Sequence, residues 1–393
     1  MTITTPPPSL LKTRTSVALS FALNGLLFAT LVSRFPDVRS DLSLTNSALG
    51  LLLISASIGS VLSLPLSGRV IERFKPRATV RGSSLVVGAG LLVTAVGATV
   101  LGQPLVAAVG LFAYGVGTSL WDVAMNVEGA EVERRLGRTI MPRFHAAWSL
   151  GSIAGAGIGI LMAALSVPVV VHDALIGVIA VALAIRTAGT FLPVEEQAHV
   201  SDEPRVSAWR EPRTLLIGLM VLCYATVEGT ANDWLSLAVI DGYDTPHWVG
   251  VAGFSVFVIA MTTGRLVGPI ALDRLGRAPV LWICSGAAAV GVLITVYGGS
   301  LAVMFVGIVV WGLGASLGFP VGMSAAADDP ARAAARVSAV ATIGYAAFLA
   351  GPPLLGVLGD AVGTLQALVV VAVLMVPASL TVFAARPRAH VSP

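Results

Sequence analysis

Charged residues are scarce in this sequence of 393 residues: Asp, Glu, Lys and Arg together make up 11% of it, whereas soluble domains average about 25%. Cysteine is scarcer still, with two residues that both fall in apolar stretches. The cysteines indicate neither a disulfide framework nor a metal-binding spacing. A phosphate-binding loop of the Walker type is also missing, so the sequence gives no support for ATP-driven chemistry.

Hydrophobic residues make up 56% of the chain, and its mean hydropathy is +0.88. Because a helix needs about 20 apolar residues to cross a bilayer, this composition indicates an all-α integral membrane protein. The polar, proline-rich start resembles a signal-peptide n-region, but no cleavage motif follows, so the first span is predicted to stay uncleaved. We predict twelve spans, near residues 16–34, 46–67, 78–100, 104–127, 141–164, 167–191, 214–240, 247–270, 279–298, 301–323, 336–358 and 363–385.

The distribution of basic residues predicts the orientation of these spans. If the N-terminus is cytoplasmic, only Arg34 and Arg39 of the 24 Lys and Arg residues lie in the outer loops. Cytoplasmic segments of membrane proteins carry an excess of Lys and Arg. Both termini are therefore expected in the cytoplasm.

The longest polar segment, residues 193–213, lies between the sixth and seventh spans. It is predicted to be a cytoplasmic linker that joins an N-terminal six-helix bundle, residues 1–192, to a C-terminal six-helix bundle, residues 214–393. Each half then contains six spans, which raises the question of an internal repeat.

Two pairs of segments support duplication of the halves. The segment YGVGTSL at 114–120 matches WGLGASL at 311–317, and ERFKPR at 72–77 matches DRLGRA at 273–278, at offsets of 197 and 201. Parallel six-helix repeats of this kind are an architecture of secondary transporters.

The loop after the second span, GRVIERFKPRATV, resembles the signature loop of the major facilitator superfamily, and the resemblance extends over essentially the whole chain. Gly68, Glu72, Arg73 and Arg77 fit the signature, while Lys75 stands at the usual glycine. The resemblance implies twelve helices in two pseudo-symmetric six-helix bundles, with a polar cavity among the first, fourth, seventh and tenth helices.

The second copy of this loop, PIALDRLGR, keeps Asp273, Arg274, Gly276 and Arg277 but has Pro269 for the first glycine. The resemblance implies that the two loops form an inner gate that favours the outward-facing state. In physical terms an acidic side chain can sit against a helix N-terminus and pair with arginines. The alternative is that these basic residues only set the topology.

Within the superfamily, SLWDVAMN and the following RFHAAWSLGSIAGAGIG resemble the fucose-permease-like branch. Asp122, Asn126 and His145 are the matching positions for its polar residues in helices four and five. Proton-coupled members of that branch carry a carboxylate in helix one. Here that span has none, and Asn24 is its strongest polar group, so a two-carboxylate coupling scheme is not expected.

Asp122 is the charge that most needs an explanation. A carboxylate at the bilayer centre costs about 3 kcal/mol on insertion scales and is by default a functional hypothesis. The repeat places Phe319 at the equivalent position, so the scaffold does not require an acid there. A structural ion pair with His145 or Arg143 is the alternative. A histidine suits proton exchange, since its unperturbed pKa is about 6.5, although His145 can also serve packing alone.

Helix seven carries a second polar cluster, YATVEGTANDW. Tyr224, Glu228 and Asn232 share one face at a spacing of four residues, and Asp233 points elsewhere. The small polar stretch 229–232 predicts a break in the helix. Glu228 is expected to bind solute or protons; the alternative is an inter-helix hydrogen bond that holds helix seven.

Tryptophan residues flank both clusters. Trp121 and Trp148 lie beside the helix-four and helix-five positions, and Trp234 lies beside the helix-seven positions. Indole faces can stack on sugar rings, and the alternative for each is membrane packing or an interfacial belt.

These features predict a secondary active transporter of a small polar solute, with a sugar or sugar-like metabolite as the favoured class, that is coupled to protons and resides in a bacterial cytoplasmic membrane. The alternative is a proton-antiport exporter of amphipathic compounds, although the Gly-Pro pair of antiporter helix five is missing. No catalytic set of nucleophile and base converges, so an enzyme is not expected. We expect solute, protons and lipid as partners, no nucleic acid, no cofactor or metal, and a monomer.

Overall fold

A computed structural model describes residues 8–192 and 207–387 of the chain. Nearly all of these residues are helical, and no strand occurs within the two described ranges. The predicted all-α class is confirmed. Of the predicted linker, residues 193–206 lie outside the described residues.

The helices of the first half follow the predicted spans, with a short extra helix after the first of them. A π-helical turn, Val96–Val100, extends α3. The elements are α1 (Pro8–Ser33), α2 (Phe35–Asp41), α3 (Asn46–Ala95), α4 (Pro104–Leu136), α5 (Met141–Ala164) and α6 (Val169–Ala188).

The helices of the second half are more interrupted than the predicted spans. The tenth span, 301–323, consists of two helices, and the twelfth consists of two helices and a closing 3-10 turn, Val382–Ala385. The elements are α7 (Pro212–Tyr243), α8 (His247–Leu275), α9 (Arg277–Tyr297), α10 (Leu301–Ala315), α11 (Gly318–Ala326), α12 (Ala333–Val362), α13 (Thr364–Ala367) and α14 (Val370–Thr381).

Ten helical segments among the described residues are long and apolar enough to cross a membrane. One of them, α3 with its π turn, covers 53 residues and contains the second and third predicted spans. The helix α12 corresponds to the eleventh predicted span. The chain is therefore a multi-pass membrane protein of the predicted architecture.

Contacts divide the chain into two compact units. Unit 1 comprises Met1–Gly137, Ala147–Asp202 and Pro330–Ser338, and unit 2 comprises Arg138–Ala146, Glu203–Asp329 and Ala339–Pro393. Each unit thus takes one short segment from the other half of the sequence. The start of α5 belongs to unit 2, and the start of α12 belongs to unit 1.

The signature loop of the first half contains a strained residue. Lys75 has φ 67° and ψ 158°, and this residue is where α3 kinks. Gly276, which is 201 positions later, has φ 79° and ψ 169°. This backbone region is accessible almost only to glycine and costs other residues about 1–3 kcal/mol. The shared conformation explains why glycine is usual at the Lys75 position.

Replacement of Lys75 by Gly is therefore expected to stabilise the protein by about 1 kcal/mol, since relief of strain exceeds the added entropy of the unfolded glycine. The matched change is Gly276→Ala, where a Cβ atom would meet nothing within 4 Å. That change should lower the stability of the protein through backbone strain alone, because the added methyl group meets no neighbouring atom. Thermal unfolding in detergent measures both effects, and a lower Tm for Lys75→Gly would contradict the assignment of strain.

The break between α10 and α11 has a local cause that the span prediction missed. Pro320 has no backbone N–H, so it cannot donate to the carbonyl of Ser316 four residues earlier. The helix stops at Ala315 and restarts at Gly318. The carbonyl oxygen of Ser316 is consequently open to another donor.

The predicted break in helix seven is wrong, because α7 runs without interruption from Pro212 to Tyr243. In the polar stretch 229–232, Thr230 Oγ1 donates to the Thr226 carbonyl oxygen at 2.7 Å, so this hydroxyl is satisfied inside the helix. The segment therefore needs no external partner for that group.

Candidate functional site

The first polar group of unit 1 joins α1 to α5. Trp148 Nε1 donates to Asn24 Oδ1 at 3.0 Å, and Asn24 is buried. The ring of Phe28 lies 5.5 Å from that of Trp148. Trp148 is only half-buried, so part of its indole surface remains accessible. Sequence reasoning named both residues, and the structure brings them together.

Two glycines make this contact possible. A Cβ atom at Gly25 would overlap the Trp148 carbonyl oxygen, and one at Gly151 would overlap the Ala22 carbonyl oxygen. The backbones of α1 and α5 therefore touch along this stretch. Their close approach fixes the distance from Asn24 to Trp148.

Trp121 has a different environment from Trp148. Its indole is fully buried, and its Nε1 donates to Ser20 Oγ at 2.8 Å. It therefore links α4 to α1 inside unit 1, and it offers no free face for a solute.

Asp122 and Asn126 lie one turn apart on α4, and both are buried, at 6% and 0% exposure. Asn126 Nδ2 donates to the Asp122 carbonyl oxygen at 2.9 Å and to its Oδ1 at 3.3 Å. The amide thus stabilises the carboxylate that precedes it. This carboxylate is buried in a helix of membrane-spanning length and accepts a hydrogen bond from a neutral amide, so it is a candidate for proton exchange.

His145 lies in the segment of α5 that belongs to unit 2, and it is buried. Its ring stands 5.5 Å from that of Phe319, edge to face, and Phe319 in turn contacts Tyr345 at 6.0 Å. Phe319 is the repeat counterpart of Asp122. The equivalent position in unit 2 is therefore aromatic and packs the imidazole.

Glu228 of unit 2 forms an ion pair that sequence reasoning did not identify. Arg265 Nη2 lies 2.8 Å from Glu228 Oε2, and the side chains are 4% and 15% exposed. Arg265 Nε also donates to the Ser316 carbonyl oxygen at 3.3 Å, the oxygen that Pro320 leaves open. An arginine in the eighth apolar span and a proline in the tenth were the sequence signals for this contact.

The other helix-seven positions do not join Glu228. The Tyr224 hydroxyl donates to the Leu281 carbonyl oxygen at 3.0 Å and lies 2.8 Å from Ser285 Oγ, so this side chain is buried against α9. Asn232 and Asp233 are exposed. Helical spacing predicted a shared face for Tyr224 and Glu228, but the two side chains contact different helices.

The first copy of the predicted gate loop makes its contacts through Gly68. A Cβ atom there would lie 3.1 Å from the Ala334 carbonyl oxygen, which leaves almost no room. Ser338 Oγ donates to the Leu64 carbonyl oxygen at 2.7 Å, one turn earlier on α3. Glu72 is exposed and has no ion-pair partner among the described side chains, and Arg73 and Arg77 are also exposed.

The second copy uses its carboxylate. Asp273 Oδ1 accepts the backbone N–H of Thr139 at 2.8 Å, just before α5 begins. Arg143 Nε donates to the Leu266 carbonyl oxygen at 3.3 Å. Both contacts attach the start of α5 to α8 within unit 2, while Arg274 stays exposed.

Arg277, the last residue of this copy, belongs to a separate ionic cluster. Asp328 lies 2.7 Å from Arg277 and 2.6 Å from Arg213. Arg277 also donates to Ser324 Oγ at 2.8 Å. The cluster ties the starts of α7 and α9 to the end of α11. Over the two described ranges, no group of three or more His, Cys, Asp or Glu residues is placed to hold a metal ion.

A helical fold with ten membrane-length segments in the described ranges, buried carboxylates inside them and a repeated signature loop defines a multi-pass membrane transporter. The family model of the Major Facilitator Superfamily matches residues 17–347. The chain belongs to that superfamily. Its members are transporters rather than enzymes.

A relative and two solved structures illustrate the similarity. The uncharacterised transporter y4wD of Sinorhizobium fredii (strain NBRC 101917 / NGR234) is 31% identical over 350 residues, 88% of this chain and 90% of that protein. The structure of the E. coli fucose:proton symporter FucP aligns with a TM-score of 0.77 at 15% identity, over 95% of this chain and 97% of that one. The human organic anion transporter MFSD10 aligns with a TM-score of 0.75 at 16% identity, over 97% of this chain and 100% of that one.

Proposed function

We propose that this chain is a proton-coupled secondary active transporter of a small polar solute, with a sugar or sugar-like metabolite as the leading class. The observation that carries the proposal is the buried Asp122 carboxylate, which accepts a hydrogen bond from the amide of Asn126. The similarity in fold to a fucose:proton symporter is consistent with it.

Proton exchange at Asp122 supplies the coupling. The ionised carboxylate resists dehydration, so the state that exposes it to water is favoured. Protonation, or contact with solute hydroxyl groups, removes that penalty and lets the protein change conformation by alternating access. Asn126 donates to the charged form and therefore keeps the ionised state accessible.

Solute recognition uses further polar groups of unit 1. Trp148 Nε1 donates a hydrogen bond to the amide oxygen of Asn24, which leaves the amide nitrogen available as a donor to solute. The half-buried indole of Trp148 offers an apolar face of the kind that packs on sugar rings. In unit 2, Glu228 is a separate candidate for solute or proton binding, at its ion pair with Arg265.

A second candidate follows from Arg265. A guanidinium that is almost fully buried is a binding group for a carboxylate or another anion. The similarity in fold to an organic anion transporter is consistent with export of an anionic amphipathic compound by proton antiport. The direction of the proton flux distinguishes the two candidates.

The test of the proposed function starts from the purified protein. A thermal-shift panel of sugars, organic acids and amphipathic compounds identifies a solute that raises Tm. Uptake of that solute into proteoliposomes is then measured with and without an imposed pH gradient. Accumulation driven by protons moving with the solute supports symport, and a solute that moves against the protons supports antiport. Solute uptake that is the same with and without the pH gradient would contradict proton coupling.

The gate is tested at Asp273. Asp273→Ala removes the acceptor of the Thr139 N–H and should shift the population toward inward-facing states, since about 1.4 kcal/mol changes a two-state equilibrium tenfold. Cysteine accessibility on the two sides of the membrane measures the shift. Asp244→Ala, at a loop carboxylate after α7, is the control. Equal accessibility in Asp273→Ala and the parent would count against the gate.

Topology and assembly complete the proposal. We place both termini in the cytoplasm of a bacterial cell, with residues 1–192 and 214–393 as the two bundles and a monomer as the working unit. Reporter fusions at the C-terminus, which are active only on one side of the membrane, test the orientation.

A further inference from the structure

The end of unit 1 formed by Arg34, α2 and the start of α6 contains a buried pair of titratable side chains that the proposed mechanism does not use. We call it the distal end of unit 1. His172 and Asp173 follow each other near the start of α6 and are 0% and 2% exposed. His172 Nδ1 lies 3.6 Å from Asp173 Oδ1, within ion-pair reach but beyond a direct hydrogen bond. A bridging water suits this spacing.

Several polar atoms at the distal end have no hydrogen-bond partner within the described ranges. They are both ring nitrogens of His172, Oδ1 of Asp173 and Nε of Arg34. Buried polar atoms are normally satisfied, because each unpaired one loses its hydration without compensation. Their concentration at one place indicates water molecules or an exchangeable proton.

Charge balance favours the proton. Arg34 is buried and pairs with Asp37 at 3.3 Å, so its charge is already compensated, and it also donates to the Val167 carbonyl oxygen. The neighbouring stretch 82–100 of α3 and its π turn contains no titratable residue. The charge of Arg34 acts on Asp173 but is shared with Asp37, so a proton on Asp173 itself or on His172 completes the neutralisation. Either arrangement leaves one proton on the pair.

A solvent-exposed carboxylate acts electrostatically on this pair. Asp37 is 40% exposed, and the charges of Arg34 and Asp37 act on both members of the pair. Asp37 is thus a solvent-exposed group within electrostatic range of the buried pair.

A row of polar side chains leads from this end toward Asp122. Tyr114, Thr118, Asp122 and Asn126 follow one another on α4 at intervals of four residues, or about 6 Å of helix rise each. Tyr114 is buried within electrostatic range of Asp173, and its hydroxyl lies near that of Thr118 without a well-aligned hydrogen bond. Both hydroxyl oxygens have no partner in the described part of the chain.

We propose that His172 and Asp173 form a proton-binding site and that the hydroxyl groups of Tyr114 and Thr118 relay its proton to Asp122. The proposal rests on the proposed function, in which Asp122 takes up a proton. Each hydroxyl accepts a proton on its oxygen and releases its own to the next group, with a bridging water where neighbouring groups do not touch. One proton leaves the pair, one arrives at Asp122, and the relay groups end unchanged.

The test follows the proton itself, so no solute is needed. The infrared C=O stretch of protonated Asp122 is assigned by its loss in Asp122→Asn. The protein in proteoliposomes at low pH is then diluted into D2O, and the rate at which this band shifts reports proton exchange at Asp122. Tyr114→Phe, Thr118→Val and Asp173→Asn should each slow the shift by about tenfold or more, which corresponds to ~1.4 kcal/mol in the barrier.

The control is Thr30→Val, which removes a fully buried hydroxyl from α1 that donates to its own helix at Leu26. Its exchange rate should equal that of the parent. Unchanged rates in Tyr114→Phe and Thr118→Val overturn the relay even if Asp173→Asn fails to fold. A parent protein that shows no Asp122 band overturns proton uptake at Asp122 itself, and with it the proposed function. The two failures are therefore distinct.

Discussion

Replacement of Asp122 by Asn is expected to abolish accumulation of solute driven by a pH gradient while counterflow exchange of the same solute persists. The amide has nearly the shape of the protonated acid and cannot release a proton. The conformational change that follows protonation therefore remains possible, but the proton no longer moves with the solute. Proteoliposome uptake with and without an imposed gradient measures both activities.

The matched control is Glu131→Gln, the same change of carboxylate to amide on the same helix. Glu131 pairs with Arg134 and Arg135 at the end of α4, at 2.5 Å and 2.6 Å, so its role is local. Accumulation by Glu131→Gln should equal that of the parent. Accumulation by Asp122→Asn at the parent level would show that Asp122 is not the coupling site, and a structural role for the acid would then be the better account.

Much of the fold follows from sequence because its determinants are local or repeated. The lengths of the apolar runs predicted the membrane spans. The two signature loops lie 201 residues apart, and Lys75 and Gly276, at equivalent positions in them, share one backbone conformation. The interruption of the tenth span was missed although Pro320 stood in it. A missing N–H is visible in sequence, but where the freed carbonyl finds a donor is not.

The site was predictable only where contacts lie within one helix. The spacing of Asp122 and Asn126 places them one turn apart, and the structure joins them by a hydrogen bond. The partner of Glu228 lies 37 positions away, and that of Trp148 lies 124 positions away. Single-sequence periodicity assigns a residue to a helix face but does not identify the helix that packs on that face, so Arg265 was overlooked.

Glu228→Gln is expected to lower both stability and solute binding. The substitution leaves the guanidinium of Arg265 buried without its carboxylate, and removal of one partner of a buried ion pair costs about 3–5 kcal/mol. The side chains are 15% and 4% exposed, so solvent screens the remaining charge only weakly. Thermal unfolding in detergent, with and without a solute found by the thermal-shift panel, measures both losses.

The double variant Glu228→Gln/Arg265→Gln separates the two roles of the pair. Neutral replacements for both partners leave no unpaired charge, and such replacements are often close to neutral for stability. The double variant should therefore regain most of the Tm that Glu228→Gln loses, yet it should still fail to bind solute. Asp328→Asn serves as the contrasting control, because it disrupts the ionic cluster with Arg213 and Arg277 and should lower Tm while binding persists. If the double variant binds solute like the parent, the pair only holds α7 against α8, and the solute is recognised through the polar groups of unit 1 alone.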